Sequence, residues 1–204
     1  MDSYVYLRGV GTGALEKLLG MHLEDRDKLG EDREEGVIRA VAVTTGEYDA
    51  VVFVEAGDLD RIQRVVLDRI RQQAGALGTE TYIALEAPPE ISGAAAAPSP
   101  EGALLLMPDA PKRRYPMLAF DALINVKTVA GQAVAVFWDL FHKLPGNPSG
   151  PGLQGEALTT GPWDILVELG ANTHTDLSRF ILAVRGWPAV IDSSAAEATI
   201  TGSP

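Results

Sequence analysis

The sequence predicts an α+β protein made of two ferredoxin-like βαββαβ plaits, and three observations predict it. Thr44-Thr45-Gly46-Glu47-Tyr48-Asp49 returns 115 residues later as Thr159-Thr160-Gly161-Pro162-Trp163-Asp164. Each copy joins two strand-like runs, so the repeated unit is a hairpin, and an internal repeat constrains architecture before any local reading does. The register continues into the following element, where Ile62, Val65 and Val66 fall at the same offset as Leu177, Phe180 and Ile181. Finally, the apolar periodicity runs strand, helix, strand, strand, helix, strand in each half, the order in which two helices cover one face of a four-stranded antiparallel sheet. The predicted division is 1–86 for the first domain, a Pro/Ala-rich linker over 87–117, and 118–204 for the second domain.

In the first half, alternation over residues 3–10 suits a strand that Gly11-Thr12-Gly13 ends. Leu15, Leu18 and Leu19 then lie at helical spacing up to about Asp27, and a charged stretch follows over 24–35 that reads as a solvated helix end and loop. Gly36 opens the strand Val37 to Thr44, and Tyr48 to Val54 is rich in the β-branched residues that pack on a pleated sheet. Asp58 is placed as an N-cap, because its carboxylate can accept from the amides that a helix start leaves unpaired. That helix runs to about Gln73, and Thr79 to Leu85 is the fourth strand.

Residues 86–117 hold Pro-Pro and Ala-rich runs that offer little to bury, except Ala103 to Met107, an apolar segment expected to lie against a domain as a short strand. The second half repeats the order. Ala119 to Thr128 is a strand, Gly131 to Leu144 a helix, Gly155 to Thr160 and Trp163 to Leu169 the hairpin, Thr175 to Arg185 a helix, and Trp187 to Ile200 the last strand. The helix carrying Val134, Val136, Phe137, Trp138, Leu140 and Phe141 is apolar nearly all round, which predicts burial on more than one side, against the other half or another subunit.

Composition bounds the function. The net charge is -11, with 10 basic and 17 acidic side chains over 1–86 and 4 and 8 over 118–204. A phosphate backbone needs clustered cations, and Lys112-Arg113-Arg114 is one short run in the linker, so no direct nucleic-acid binding is expected. No apolar run reaches the roughly 18 residues of a spanning helix and no leader pattern opens the chain, so a cytoplasmic protein without membrane contact is the expectation. The chain has no cysteine, which removes disulfides, thiolate metal sites and a cysteine nucleophile.

The paired turns, with the strands, the helix stripe and Leu144-Pro145-Gly146, resemble the effector domain of the Lrp/AsnC regulators. The resemblance covers most of residues 118–201 and, more loosely, 3–85. It implies a domain that dimerises through its sheets into an α+β barrel, oligomerises and binds small effectors. The chain is expected to lack the family's helix-turn-helix and to resemble two effector domains in tandem, able to pack as an internal pseudo-dimer. The functional expectation is a non-enzymatic regulatory or sensor protein that binds a small metabolite, an amino acid in one version. Its other expected partners are further copies of itself or another effector-domain protein. The ligand-binding candidates are Thr160, Gly161, Trp163 and Asp164 with Thr45, Gly46, Tyr48 and Asp49, the second copy being favoured. Against this stands simple turn chemistry, in which Gly supplies positive φ and Asp accepts turn amides.

The alternative is a small enzyme of the dimeric α+β barrel type, a monooxygenase, decarboxylase or isomerase that uses the space between sheet and helices, for one such fold hosts many functions. Asp121, Asn125, Lys127 and His142 are then the residues that can converge. A scaffolding subunit is a third reading, suggested by the apolar helix. No cofactor and no metal are expected, because His22, His142 and His174 lie in separate elements without ligand spacing. His174 reads as a capping or interface residue, Ser193 and Ser194 have no nearby base, and Gly9-Val10-Gly11-Thr12-Gly13 lacks the spacing of a dinucleotide loop.

Overall fold

The computed structural model describes residues 1–25, 28, 34–45, 47–85, 122–144, 152–171 and 173–199. Contacts divide the chain into two units, Met1–Ala84 with Ala196–Pro204, and Leu85–Ala195. The protein is mixed α+β with antiparallel strand pairing.

In the first unit β1 is Asp2–Arg8, α1 Thr12–Asp25, β2 Val37–Thr45, β3 Ala50–Glu55, α2 Leu59–Arg64 and β4 Gly78–Leu85. The strand order is β4-β1-β3-β2, and residues 197–199 pair with the end of β2. Val5, Leu7, Ile38, Val41, Val52 and Val54 turn one face of this sheet towards Leu18, Ile62, Val65, Val66 and Ile70 of the helices, which makes a continuous apolar core. Asp58 caps α2 as predicted, accepting from the Arg61 amide at 2.9 Å. The predicted single helix changes winding at Val65 and continues as a π-helix over Val65–Ala74. Its buried residues Val65, Val66, Ile70 and Ala74 recur every four to five positions, and the wider turn keeps them on one face. Gly36 has φ +110, and a Cβ there would come within 2.6 Å of Val65 Cγ2, so glycine is required where β2 begins beneath this helix.

In the second unit β5 is Ala122–Thr128, α3 Ala133–Lys143, β6 Gly152–Thr159, β7 Ile165–Gly170 and α4 His174–Arg185, and β8, Val190–Thr199, belongs to it as far as Ala195. The strand order β8-β5-β7-β6 matches that of the first unit. Registers match as well. Val41 faces Val52 and Glu156 faces Val167, and both β2 and β6 carry a one-residue bulge, between Ile38 and Ala40 and between Leu153 and Gly155. Ala122, Ile124, Val126, Leu153, Leu158, Ile165, Val167 and Leu169 form the sheet side of the core, and Val136, Phe137, Trp138, Leu140, Leu177 and Val184 the helix side. Within its own unit α3 packs chiefly over β6, and its Val136, Phe137, Trp138 and Leu140 are buried. The linker prediction, with Ala103 to Met107, lies outside the described residues.

Candidate functional site

The twice-written turn is a clamp between a hairpin and the first strand of its unit. In the second copy the Asp164 amide donates to the Val126 carbonyl, and its carbonyl accepts from the Thr159 amide. Its carboxylate accepts from the Thr128 amide at 2.8 Å, the Thr128 hydroxyl at 3.0 Å and Lys127 Nζ at 3.0 Å. In the first copy the Asp49 amide donates to the Leu7 carbonyl, and its carboxylate accepts from the Val10 amide at 3.0 Å. Thr44 and Thr159 close the loops by donating to the carbonyls of Tyr48 at 2.7 Å and Trp163 at 3.1 Å. Burial alone raises the pKa of Asp164, but the Thr128 amide, Lys127 and the Thr128 hydroxyl outweigh it and hold this carboxyl below its ordinary range. Gly161 adopts φ +122, a conformation that a side chain disfavours.

Among the predicted ligand-binding residues, Thr160 and Gly161 are exposed and Trp163 is half-buried. Thr45 ends β2 opposite Glu197, and Gly46 lies outside the described residues. Tyr48 is buried in a cluster in which its hydroxyl donates to Glu80 at 2.9 Å, Tyr82 donates to the same oxygen at 3.1 Å, and Arg8 lies 4.7 Å over its ring. Arg8 also pairs with Glu80 at 3.1 Å and with Glu47. Burial pushes both phenols up, and the neighbouring Glu80 adds to this.

Within the charged stretch Glu24, Glu34 and Glu35 are exposed, as read, but Asp25, the last residue of α1, is fully buried. Its carboxylate accepts from the Ile38 amide at 2.8 Å, Arg69 at 2.6 Å and Lys28 at 2.7 Å, while Arg39, in the β2 bulge, pairs with Glu55 at 3.0 Å. Desolvation of Asp25 is outweighed by Arg69, the Ile38 amide and Lys28, so its carboxyl is held low. A loop reading missed it because two of its partners, the Ile38 amide and Arg69, come from β2 and the π-helix.

Glu156 is the opposite case. It is 5% exposed, and neither carboxylate oxygen has a hydrogen-bond partner among the described residues. Its pairing with Val167 puts it on the helix-covered face of the sheet with Leu158 and Ile165. Burial pushes its pKa well above 4.5, favouring the neutral acid. The same register position in the first unit holds Val41, buried in an apolar core. The indole nitrogens of Trp138 and Trp187 are also buried without partners among the described residues, and both rings pack in the second core. Sequence reasoning missed Glu156, although the offset of 115 between the two turns aligns it with Val41.

Of the residues expected to converge in an enzyme, the described ones, Asn125, Lys127 and His142, do not do so. Asn125 and Lys127 share the alternate face of β5, while Ala122, Ile124 and Val126 face the helices. Lys127 is engaged with Asp164, and His142 is exposed on α3, stacked on Trp138 at 6.0 Å. Asp121 lies outside the described residues, as does the side chain of His174; the cap of α4 is Thr173, which accepts from the Asp176 amide at 3.1 Å. His22 is buried in the first unit, its Nδ1 3.1 Å from the Ile38 carbonyl. The Ser193 hydroxyl accepts from Arg185 at 3.0 Å, the neighbouring Asp192 carboxylate accepts from the Ser193 amide at 2.8 Å, and the Val10 amide in the glycine-rich loop is taken by Asp49.

The Lrp/AsnC ligand-binding domain family matches residues 33–92, in the first half, whereas the fuller resemblance was expected in the second. No curated protein matches the chain by sequence. Three solved structures are similar over 97% of its length. A candidate monooxygenase from Lactobacillus acidophilus has a TM-score of 0.50, 10% identity and 92% of its own chain covered. A heme-binding protein from Thermus thermophilus has 0.51, 11% and 90%. A candidate chlorite dismutase has 0.51, 9% and 94%. The chain thus shares the ferredoxin-like α+β fold of these proteins. The expectation of a non-enzymatic regulator is corrected by this likeness, which spans nearly the whole chain and runs to an enzyme-bearing fold, whereas the regulator-type match is confined to residues 33–92.

A haem would need an axial side chain directed into an enclosed space. His142 is exposed and His22 sits against a backbone carbonyl, so these imidazoles do not fit one. No group of three or more metal-ligating side chains occurs among the described residues, and none of their helices is long and apolar enough to cross a membrane.

Proposed function

We propose that this protein is a small enzyme of the dimeric α+β barrel type, an isomerase or decarboxylase, with Glu156 as the proton-transferring group between sheet and helices of the second unit. The observation that carries this reading is the buried carboxyl without a partner at a position where the first unit has Val41. The fold tolerates a valine there, and an unpaired buried acid is costly, so a requirement other than folding is the reason to keep it. A carboxylic acid that stays neutral above the ordinary carboxylate range is suited to general acid–base work. In a decarboxylation the departing CO2 leaves its bonding pair on the substrate, and the resulting enolate carbon takes the Glu156 proton. In an isomerisation the acid protonates one carbon and its carboxylate recovers a proton from another.

In the same reading the two units arose by duplication, for which the shared strand order, the matched bulges and the repeated clamps speak. The domain limits then fall at 1–86 and 118–204, joined through 87–117. The turn residues serve the scaffold in both copies, and any small-molecule contact there falls to exposed Thr160 and Gly161 with half-buried Trp163.

The test is exchange of carbon-bound hydrogen in D2O, read by proton NMR over a panel of small ketones and keto acids. Wild type should catalyse exchange on at least one compound, and Glu156→Gln should be slower by about 100-fold or more, the usual worth of a general acid–base group. Equal rates in the two proteins would remove Glu156 from the chemistry.

A further inference from the structure

We infer that Tyr48, Glu80 and Tyr82 form a site of oxidative modification in the first unit, where a one-electron oxidant draws electrons from the two phenols, Glu80 takes their protons, and the two rings become covalently joined. The inference is independent of Glu156 and the chemistry proposed for it.

A phenol that gives up an electron must also give up its hydroxyl proton, and a base already bonded to that proton lets both leave together. Here both hydroxyls donate to one oxygen, Glu80 Oε2, Tyr48 at 2.9 Å and Tyr82 at 3.1 Å. An ionised carboxylate only accepts, so the direction of both bonds is fixed. The ring of Tyr6 bridges the pair by edge contacts, its centroid 4.8 Å from that of Tyr48 and 5.0 Å from that of Tyr82, so an electron vacancy on one ring has a neighbour to spread to. The three rings are buried, while the side chains of Glu80 and Arg8 at the hydroxyl end are half-exposed, which gives an oxidant an approach and the proton a way out. Arg8, 3.1 Å from the other Glu80 oxygen, holds the carboxylate in place.

The fold does not require this cluster. The amides of Asp49 and Asp164 donate to Leu7 and Val126, which aligns Tyr6 with Asn125, Arg8 with Lys127 and Tyr48 with Trp163. The second unit keeps the same strand order with no tyrosine in any of its elements. In the reaction each phenol gives one electron to the oxidant and one proton to Glu80, which passes it to water before the next arrives. The two phenoxyls bond through ring carbons ortho to their oxygens, and the hydrogens on those carbons move to the oxygens. The product is a dityrosine that has lost two electrons and two protons.

The experiment illuminates the full chain with tris(bipyridine)ruthenium(II) and persulfate, which together generate a one-electron oxidant, and maps the products among the five tyrosines by peptide mass spectrometry. The expected product is a cross-link between Tyr48 and Tyr82 within one molecule, formed in a yield independent of protein concentration. Glu80→Gln keeps an oxygen acceptor but no base, and should lower that yield by about tenfold or more. Tyr82→Phe keeps the ring and should abolish the cross-link. Oxidation spread over Tyr4, Tyr6 and Tyr115, cross-links formed only between molecules, or a yield that a folded Glu80→Gln leaves unchanged overturns the inference. If Glu80→Gln does not fold, the position of the wild-type cross-link decides.

Discussion

At one matched register the first core holds a valine and the second an acid. Val41 and Glu156 occupy matching registers opposite Val52 and Val167, and both are buried. Leaving a buried polar group unsatisfied costs about 1–3 kcal/mol, so Glu156→Val should stabilise the protein by roughly that amount. For a chain of this size each kcal/mol raises Tm by about 2–4 °C. Calorimetry should show the gain together with lost proton exchange, and a lowered Tm would mean that Glu156 supports the fold. The acid was hard to read from sequence because of the bulge in β6. Counting alternate residues from Leu153 without it places Gly155 and Ala157 on the helix-covered face and Glu156 on the opposite one, and one extra residue reverses that assignment. Trp138 was read as part of an apolar helix, yet its unpartnered nitrogen can be recognised only once the surrounding atoms are placed.

Elements were more legible than their connections. β-branched runs and capping chemistry announced β3, α2 and the hairpins, because those signals are local and Asp58 needs only its own helix start, whereas the cap of α4 is Thr173, one residue before the expected His174. The π winding after Arg64 and the burial of Asp25 depend on partners far along the chain, and no local pattern carries them. The hairpin clamps test how unequal two similar elements have become. Asp164 holds two backbone or hydroxyl donors and a lysine, whereas Asp49 holds the Val10 amide. With a net value of about 1 kcal/mol for an ordinary hydrogen bond and more for a charge-assisted one, Asp164→Ala should cost about 2–3 kcal/mol and Asp49→Ala about 1. Urea denaturation of the two variants gives the comparison, and equal losses would show that Lys127 and the Thr128 hydroxyl add nothing. Gly161→Ala should destabilise as well, since its φ of +122 strains any side chain.

At the scale of the molecule, the buried carboxyls pull stability in opposite directions with pH. Asp25 and Asp164 are held below their ordinary 3.8, so the unfolded chain takes up protons there that the folded chain refuses. Their contribution is present above that value and is lost as pH falls through and below it. Glu156 has a folded value above 4.5, so between the two values the folded chain keeps a proton that the unfolded chain has released. Its contribution is complete below 4.5 and is lost as pH rises towards the raised value. The wild-type urea midpoint should therefore climb from the acid side, peak near the ordinary carboxylate range and decline above it. Glu156→Gln should keep the acid limb and flatten the decline, because an amide has no proton to lose. Asp164→Asn should soften the acid limb and leave the decline in place. Parallel declines in wild type and Glu156→Gln would mean that this carboxyl is already ionised or solvated in the folded protein, and the proton-transfer site would lose its physical basis with it.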